Sequence, residues 1–424
     1  MADHDRNIHI WAISRLYLPN FSGAAIQTHQ IFKKLIQKGI SFTVLTTGIH
    51  AGAALRGQRA MLDGISIRYL RTLRHKEWES VAEAQIHQKI IPYIKCHLAY
   101  LSFGILASWT ILREGQPGDI VRVYAPDTFS FLPTWAAKLK GMHPVMHMTL
   151  LKSDDPGYIK EHWNKFFGFL KLESFFRAEA ITGYSSAQIQ SCLSAGLDPR
   201  KIFRIPGGVD LSKYRQVDDG ERIQIRQKLG LKPDGKFIVF VGNSVARKGL
   251  DVLIKAFLQI LSKVIDTELL IIGPCDFSDP AYKMASDLKD ELKAADYLSH
   301  VHWIGRVDNV HDYMRASDIF CLPTRLEGFG IVIVEAMAVG LPVVVSRLEG
   351  VTTDIIRSDR EGILIDDHNP KHYAEAILRL LKNPDIANAM GETARKQAVA
   401  EFSLEYVVER HAQLYRELAG VMHA

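Results

Sequence analysis

The stretch that decides the fold lies at residues 325–346, which read RLEGFGIVIVEAMAVGLPVVVS. Residues 318–323, DIFCLP, come just before it and form a short apolar run that is typical of a buried strand. The order is therefore strand, glycine-containing loop and helix, which is the repeating unit of a parallel α/β sheet. Backbone N–H groups at the start of such a helix attract anions, particularly phosphates.

Two acids stand out within this stretch. Glu335 lies in the apolar run of residues 331–338, where a carboxylate without a partner is costly to bury. We therefore expect Glu335 to have a function. The alternative is an ordinary strand–loop–helix unit in which Glu327 only caps the helix, and this alternative leaves Glu335 unexplained.

The stretch resembles the family-four retaining glycosyltransferases, whose GT-B fold has two Rossmann-like domains facing across a cleft. The similarity runs from residue 322 to residue 346 and lies in two glutamates eight positions apart, followed by AMAVGLPVV at residues 336–344. The resemblance implies that Glu335 holds the ribose hydroxyls of a nucleoside-diphosphate sugar, while Glu327 faces the transferred sugar. It also implies that the loop and the helix start bind the donor, through Gly328, Phe329, Gly330 and Ile331.

Residues 242–249, GNSVARKG, join a predicted strand to a predicted helix and end in two cations. Arg binds phosphate oxygens as a fork and Lys as a point charge, so Arg247 and Lys248 suit a diphosphate. The resembled family has Gly-Arg followed by Lys-Gly; Lys248 and Gly249 match, whereas Asn243 stands in the place of the first arginine. We expect Lys248, with Arg247 substituting for that arginine, to contact the leaving group. A solvated cationic loop is the alternative.

The resemblance implies roles for four residues outside these loops. Arg306 and Val307 end a strand whose loop meets the nucleobase in the family, although an ordinary strand terminus explains the pattern equally well. Gly23 lies in the first loop, where small residues let the backbone approach the donor, and Ser22 beside it suits a helix cap. His147 ends an apolar strand where the family has a histidine facing the donor sugar and phosphate; a core histidine is the alternative.

Length and composition favour two α/β domains. The chain has 424 residues, of which 47% are hydrophobic and 23% charged, as is ordinary for a globular protein. Segments typical of strands and helices alternate in both halves, which predicts a parallel sheet in each. We expect an acceptor-binding domain at residues 1–205, a nucleotide-sugar-binding domain at 206–400, and a C-terminal helix at 401–424 that packs back on the first domain, as the GT-B resemblance implies.

No metal or resident cofactor is expected, since the donor sugar nucleotide is itself the substrate. The one Asp-x-Asp motif is at residues 3–5, and the four cysteines have no metal-ligand spacing: Cys96, Cys192, Cys275 and Cys321. Neither a GxSxG elbow nor a P-loop occurs. Dispersed cysteines suit a reducing compartment, and the first residues have no secretory pattern, so we expect a cytoplasmic protein. Peripheral contact with the inner face of the membrane stays open at this point and depends on the charge distribution.

The net charge of +5 is unevenly distributed. Residues 1–205 contain 25 Lys and Arg against 15 Asp and Glu, a balance of +10, whereas residues 206–424 contain 27 against 32, a balance of −5. A basic N-terminal half predicts an anionic or membrane-borne acceptor, although random surface charge is the alternative. Residues 98–112 form an apolar run too short to span a bilayer; it suits either a buried core helix or a helix lying on a membrane.

We therefore expect a glycosyltransferase, of hexosyltransferase type, that moves a sugar from a nucleoside-diphosphate sugar to a hydroxyl acceptor with retention and without a metal. UDP is preferred over GDP as the base, on family frequency. The product would belong to glycolipid, polysaccharide or glycoconjugate synthesis, and no nucleic acid is involved. The alternatives are a sugar-nucleotide epimerase of the same fold and a non-catalytic sugar-nucleotide-binding protein.

Overall fold

The computed structural model describes residues 8–18, 23–47, 57–73, 90–127, 129–162, 168–277, 279 and 282–421. The chain forms two compact units. Unit 1 comprises Met1–Gly208 together with Glu405–Ala424, and unit 2 comprises Val209–Leu404. These bounds fall within four residues of the boundaries expected from the sequence.

Unit 1 is built on an eight-stranded sheet that is parallel except at one edge. Its order is β3-β4-β2-β1-β5-β6-β7-β8. Among the described strands of unit 1, only β3 runs antiparallel to its neighbour, because a tight turn with positive φ at Asp63 and Gly64 joins it to β4. The strands are β1 (Ile8–Ile13), β2 (Ile40–Thr47), β3 (Arg59–Leu62), β4 (Ile65–Leu70), β5 (Ile120–Tyr124), β6 (His143–His147), β7 (Ala180–Gly183) and β8 (Ile202–Arg204).

Helices cover both faces of this sheet, as the right-handed crossovers of parallel strands require. The helices of unit 1 are α1 (Gly23–Ile36), α2 (Ile90–Glu114), α3 (Phe131–Leu139), α4 (Pro156–Glu161), α5 (Gly168–Arg177), α6 (Ser186–Ala195) and, from the far end of the chain, α15 (Leu404–Leu418). None of the helices in the described ranges combines the length and the apolar character needed to cross a membrane.

The C-terminal helix α15 is held to the rest of unit 1 by polar contacts. On the surface, Lys38, which follows the end of α1, pairs with Glu409 at 2.7 Å. In the interior, the Arg122 guanidinium donates a hydrogen bond to the Tyr415 hydroxyl, and its Nη1 lies 3.1 Å from Nδ1 of His411. Arg122 is almost wholly buried, so α15 supplies polar partners for a charge within the sheet.

Unit 2 is built on a six-stranded, wholly parallel sheet of order β11-β10-β9-β12-β13-β14. Its strands are β9 (Lys236–Val241), β10 (Thr267–Ile272), β11 (Val301–Gly305), β12 (Ile319–Leu322), β13 (Val343–Ser346) and β14 (Ile363–Ile365). Its helices are α7 (Asp219–Lys228), α8 (Leu250–Leu261), α9 (Lys283–Ala294), α10 (Val310–Ala316), α11 (Ile331–Ala338), α12 (Thr352–Ile355), α13 (Pro370–Lys382) and α14 (Pro384–Glu401). The prediction of two parallel-sheet α/β domains is confirmed.

Each sheet has one point at which the strand order reverses. In unit 2 the chain proceeds from β9 outwards through β10 and β11, then returns to add β12 on the other side of β9. The loops after β9 and β12 therefore lead to opposite sides, which opens a crevice at the carboxyl ends of these strands. In unit 1 the corresponding reversal lies between β1 and β5. Ligands of open α/β sheets bind at such crevices.

Candidate active site

The loop after β9 carries the two predicted cations. Arg247 and Lys248 lie on a single 3₁₀ turn, Ala246–Lys248, which leads directly into α8. Gly249 follows with φ of +74°, and a Cβ atom there would lie 1.8 Å from the carbonyl oxygen of Pro323. Only glycine therefore allows α8 to begin so close to the end of β12, and this approach brings the two loops together.

Lys248 and Glu327 meet across the crevice of unit 2. The Lys248 ammonium forms an ion pair with the Glu327 carboxylate, which also lies 3.3 Å from the hydroxyl of Thr324. The two side chains are only 15% and 8% exposed. A cation held in place by a buried acid can act on a ligand without first being ordered. The structure thus brings together two of the residues that the sequence predicts to be catalytic.

Arg247 forms two hydrogen bonds with the loop that follows β12. Its guanidinium donates a hydrogen bond to the Leu326 carbonyl at 2.9 Å, and its own carbonyl accepts one from the Arg325 N–H at 2.8 Å. Asn243, at the other end of the β9–α8 loop, is exposed. The contact of Arg247 with a phosphate stays a prediction, and its observed contacts shape the backbone just before Glu327.

The loop after β12 ends in a helix N-terminus. Gly330 adopts φ of +93° immediately before α11, and Gly328 and Phe329 are buried beside it. The Phe329 ring packs edge-on against Phe402, with ring centroids 5.8 Å apart. The first N–H groups of α11, beginning at Ile331, have no acceptor within the helix, so this end of the crevice favours an anion.

Glu335 lies about one turn further along α11 and interacts with a residue that the sequence did not single out. Tyr214 forms a hydrogen bond with Glu335. Burial raises the pKa of Glu335 to about 8, and the Tyr214 hydrogen bond acts in the opposite direction. Burial and the nearby Glu335 raise the pKa of Tyr214 well above its usual value. No local sequence pattern marks Tyr214, because residues 214 and 335 are far apart in the chain and come together only in the folded protein.

The structure places Arg306 and Val307 directly after β11, the edge strand of the unit 2 sheet. Arg306 is exposed and Val307 is partly buried. Because the strands are parallel, both residues lie at the same edge of the sheet as the two loops of the crevice. They are separated from the loop after β9 by the width of β10.

His147 and Gly23 belong to unit 1. His147 ends β6 and is only 1% exposed; its Nδ1 lies 2.8 Å from the Thr182 hydroxyl, and its Nε2 is buried without a partner among the described residues. Burial, followed by the charges of Arg122 and His411, holds the pKa of His147 well below its usual value, so the ring is neutral. Gly23 is the exposed first residue of α1.

A cavity of about 120 Å³ opens at the strand reversal of unit 1, and the sequence did not predict it. Arg15 lines it and is oriented by Asp127 at 3.2 Å and by the Tyr100 ring at 4.1 Å. Tyr17 also lines it, and its hydroxyl lies 2.8 Å from Nδ1 of His29. A guanidinium and a phenol ring therefore line the cavity, and each is already held in place by protein partners.

Within the described parts of the chain, no group of three or more His, Cys, Asp or Glu side chains is arranged to hold a metal ion.

The architecture is that of a protein with two parallel α/β units, and comparisons with solved structures define the fold more closely. Sucrose-phosphate synthase from Thermosynechococcus elongatus superposes with a TM-score of 0.76 at 18% identity, covering 98% of this chain and all of that one. Anabaena HepE, in complex with UDP and glucose, gives a TM-score of 0.74 at 18% identity, covering 97% of this chain and 100% of that one. The predicted GT-B fold is confirmed.

A family model described as glycosyl transferases group 1 matches residues 221–397. The D-inositol 3-phosphate glycosyltransferase of Jonesia denitrificans is 32% identical over 316 residues, which cover 71% of this chain and 72% of that protein. The chain therefore belongs to the group 1 glycosyltransferases, and the prediction of a glycosyltransferase is confirmed.

Other curated relatives match over a shorter part of their length. A GDP-mannose-dependent monoacylated alpha-(1-6)-phosphatidylinositol monomannoside mannosyltransferase of Corynebacterium glutamicum is 29% identical over 215 residues, covering 49% of this chain and 54% of that protein. The D-inositol 3-phosphate glycosyltransferase 1 of Catenulispora acidiphila is 32% identical over 232 residues, covering 52% and 53%. The chain thus spans about half the length of these relatives.

Proposed function

We propose that this protein is a family-four retaining glycosyltransferase that moves a sugar from a nucleoside-diphosphate sugar to a hydroxyl of an anionic or membrane-borne acceptor. The observation that carries the proposal is the Lys248–Glu327 ion pair in the crevice of unit 2, beside the N-terminus of α11. A diphosphate lies against the helix N-terminus and Lys248. Glu335, about 7 Å further along the helix, receives the ribose hydroxyls.

The chemistry follows from where charge develops. As the bond between the anomeric carbon and the phosphate oxygen breaks, its electron pair passes to the diphosphate and the sugar becomes oxocarbenium-like. Lys248 and the amides around Phe329 and Gly330 stabilise the leaving group, which is the largest catalytic contribution. Glu327 faces the developing positive charge. The acceptor oxygen attacks the anomeric carbon from the face that the diphosphate leaves, so the configuration at that carbon is retained. The proton of the acceptor hydroxyl passes to the departing phosphate.

The donor base is UDP in preference to GDP. The Anabaena protein of the same fold holds UDP and glucose, whereas the Corynebacterium relative is named for GDP-mannose. A metal is not required in this scheme, because Lys248 and the helix amides supply the charge that a divalent ion would bring.

The acceptor is anionic, and it binds at the cavity of unit 1. Arg15 at the cavity wall offers a guanidinium to a phosphate or carboxylate. The basic balance of residues 1–205 attracts an acceptor of this charge. The relatives named for D-inositol 3-phosphate and for a phosphatidylinositol mannoside have acceptors with this chemistry.

The test is incubation of the protein with labelled UDP-sugars and GDP-sugars, with inositol phosphate or phosphatidylinositol as acceptor. A transferase yields free nucleoside diphosphate and labelled acceptor, an epimerase yields an isomerised donor, and a binding protein yields neither. Lys248→Ala is expected to abolish most turnover. The matched control is Lys255→Ala, which removes an exposed lysine from the adjoining helix α8 and leaves turnover unchanged. Product formation that survives Lys248→Ala intact would contradict the proposed site.

A further inference from the structure

Helix α2 has two apolar faces, and only one of them is buried. Phe103, Ala107 and Ile111 point into the core of unit 1. The opposite face carries Leu98, Ile105, Trp109 and Leu112, at spacings that place them in one row along the helix. Ile105 is 51% exposed and Trp109 57% exposed. A core helix would carry polar residues on that face, so burial within unit 1 does not explain this row.

The neighbouring helices continue this apolar surface. Helices α2, α3 and α5 contribute to the same core cluster and therefore lie on the same face of the sheet, with α3 packed against both others. Their exposed sides carry further large apolar residues, and Leu139 is 81% exposed. The helical patch, as we name this surface, consists of Leu98, Ile105, Trp109 and Leu112 of α2, Trp135 and Leu139 of α3, and Phe169 and Phe176 of α5.

Two arginine side chains lie beside tryptophan rings of the helical patch. The Arg113 guanidinium lies 5.2 Å from the centre of the Trp109 ring, and that of Arg177 lies 5.7 Å from the centre of the Trp135 ring. The three helices hold five Lys and Arg against two Glu, a net charge of +3. Exposed Trp, Leu and Phe mixed with Arg and Lys form the composition of surfaces that lie in the interface of anionic membranes.

We propose that the helical patch is the surface by which unit 1 lies on an anionic lipid bilayer. Trp109, Trp135 and Leu139 enter the boundary between headgroups and acyl chains, while Arg113 and Arg177 contact lipid phosphates. The inference rests on the proposed function, because the purpose of this contact is to give the enzyme access to a membrane-borne acceptor. It names the part of the chain that makes the contact.

A second copy of the chain fits this surface less well than a bilayer does. In a symmetric dimer the same patch faces itself, so Arg113 and Arg177 would meet a surface that carries the same net positive charge. An anionic bilayer neutralises this charge instead. Exposed apolar patches of this extent mark interaction surfaces, and the charge decides between the two occupants.

The test is co-sedimentation of the full chain with phosphatidylcholine vesicles, with and without phosphatidylglycerol, at low and high salt. We expect binding that requires the anionic lipid and weakens in high salt. The double substitution Trp109→Ser with Leu139→Ser is expected to reduce vesicle affinity at least about tenfold. Arg113→Gln is expected to reduce it about fivefold at low salt. The matched control is Met61→Ser, which removes a 68% exposed apolar residue of β3 and leaves vesicle binding unchanged.

Three results would overturn the inference. These are no vesicle binding, binding that ignores lipid charge and salt, or binding that the double substitution leaves intact while thermal unfolding shows both proteins folded. A dimer in gel filtration that this substitution converts to a monomer would instead assign the patch to a second copy. Transfer to a water-soluble acceptor is measured in parallel. If this transfer is not observed while vesicle binding is retained, the proposed function is contradicted and the assignment of the helical patch to the membrane is still supported.

Discussion

At the scale of single residues, Glu335 is the most sensitive probe of the candidate site. Hydrogen bonds to a charged group contribute about 1.5–3 kcal/mol. Glu335→Gln should therefore raise the KM for the sugar-nucleotide donor about tenfold to hundredfold once the glutamate is ionised, with the fold intact. Steady-state kinetics with varied donor measure this effect. A donor KM equal to that of the wild type at every pH would remove Glu335 from the site.

The raised pKa of Glu335 adds a pH signature to the same variant. Because the pKa in the folded protein is about 8, the free protein holds Glu335 mostly neutral at neutral pH, and ionisation at higher pH costs folding free energy. Stability of the wild type should therefore fall as pH rises from about 5 to 8, relative to Glu335→Gln. The KM difference between the two proteins should widen over the upper part of that range.

Lys248 is expected to act in the transition state rather than in donor binding. Charge on the leaving diphosphate grows as the bond breaks, so Lys248→Ala should lower kcat by more than it raises the donor KM. Arg247→Ala should lower kcat in the same way but by less, because the Arg247 guanidinium already donates a hydrogen bond to the Leu326 carbonyl and is therefore shared between that carbonyl and the phosphate. A silent Arg247→Ala together with an impaired Asn243→Ala would assign the phosphate contact to Asn243 instead.

The sequence singled out individual residues of the candidate site but not their partners. Glu327, Glu335 and Lys248 stood out because local pattern and burial mark them. Tyr214 did not, because its hydrogen bond to Glu335 joins positions far apart in the chain. The same holds for Arg122, whose partners His411 and Tyr415 lie at the other end of the sequence. Spacing rules reach only a few residues along a helix or strand.

At the scale of structural elements, the start of α8 depends on one glycine. A Cβ at Gly249 would overlap the Pro323 carbonyl, so Gly249→Ala must move α8 away from β12 and separate Lys248 from Glu327. We expect a loss of about 3 kcal/mol or more in stability, together with a large loss of kcat. Denaturant unfolding and kinetics measure the two effects.

The matched control is Gly230→Ala. Gly230 has a similar φ of +72°, but a Cβ there would meet no atom within 4 Å, so it reports backbone strain alone, about 1 kcal/mol. Equal destabilisation by both substitutions would show that the contact with Pro323 contributes nothing.

Elements with strong apolar runs were predicted to within a residue or two. The apolar run at residues 318–323, which predicts a strand, contains β12 (Ile319–Leu322), and the helix predicted after residue 249 is observed as Leu250–Leu261. The β3–β4 hairpin was missed because its strands are short and its edge is polar and exposed. For α2, the apolar run left both a core helix and a membrane-surface helix open, because composition alone does not show which side of a helix lacks a covering element. The sequence predicts a helical stretch that begins near residue 79, and its residues 79–89 lie outside the described residues.

At the scale of the whole molecule, we expect catalysis without a metal ion. In the proposed mechanism Lys248 and the N-terminus of α11 stabilise the leaving group, and they supply the positive charge that a divalent ion would otherwise provide. Turnover in EDTA should equal turnover in buffer containing magnesium. Complete loss of activity in EDTA, restored by magnesium or manganese, would contradict this scheme.

The division into two α/β units could be predicted because alternating strands and helices occur in both halves of the sequence. The strand orders could not, since many topologies share the same succession of elements. The donor sugar could not be predicted either, because loops rather than regular elements select it.

The contact between Arg122 and α15 has a consequence for synthesis on the ribosome. Unit 2 is one continuous segment, Val209–Leu404, whereas unit 1 needs residues that are translated only after unit 2 is complete. Until Tyr415 has been translated, the buried Arg122 guanidinium lacks the hydroxyl group to which it donates a hydrogen bond. We therefore expect unit 1 to complete its folding only after helix α15 has been synthesised. Chains truncated after residue 404 and released from the ribosome should therefore protect unit 2 from protease while unit 1 is still cleaved. Protection of both at that length would show that unit 1 folds without α15.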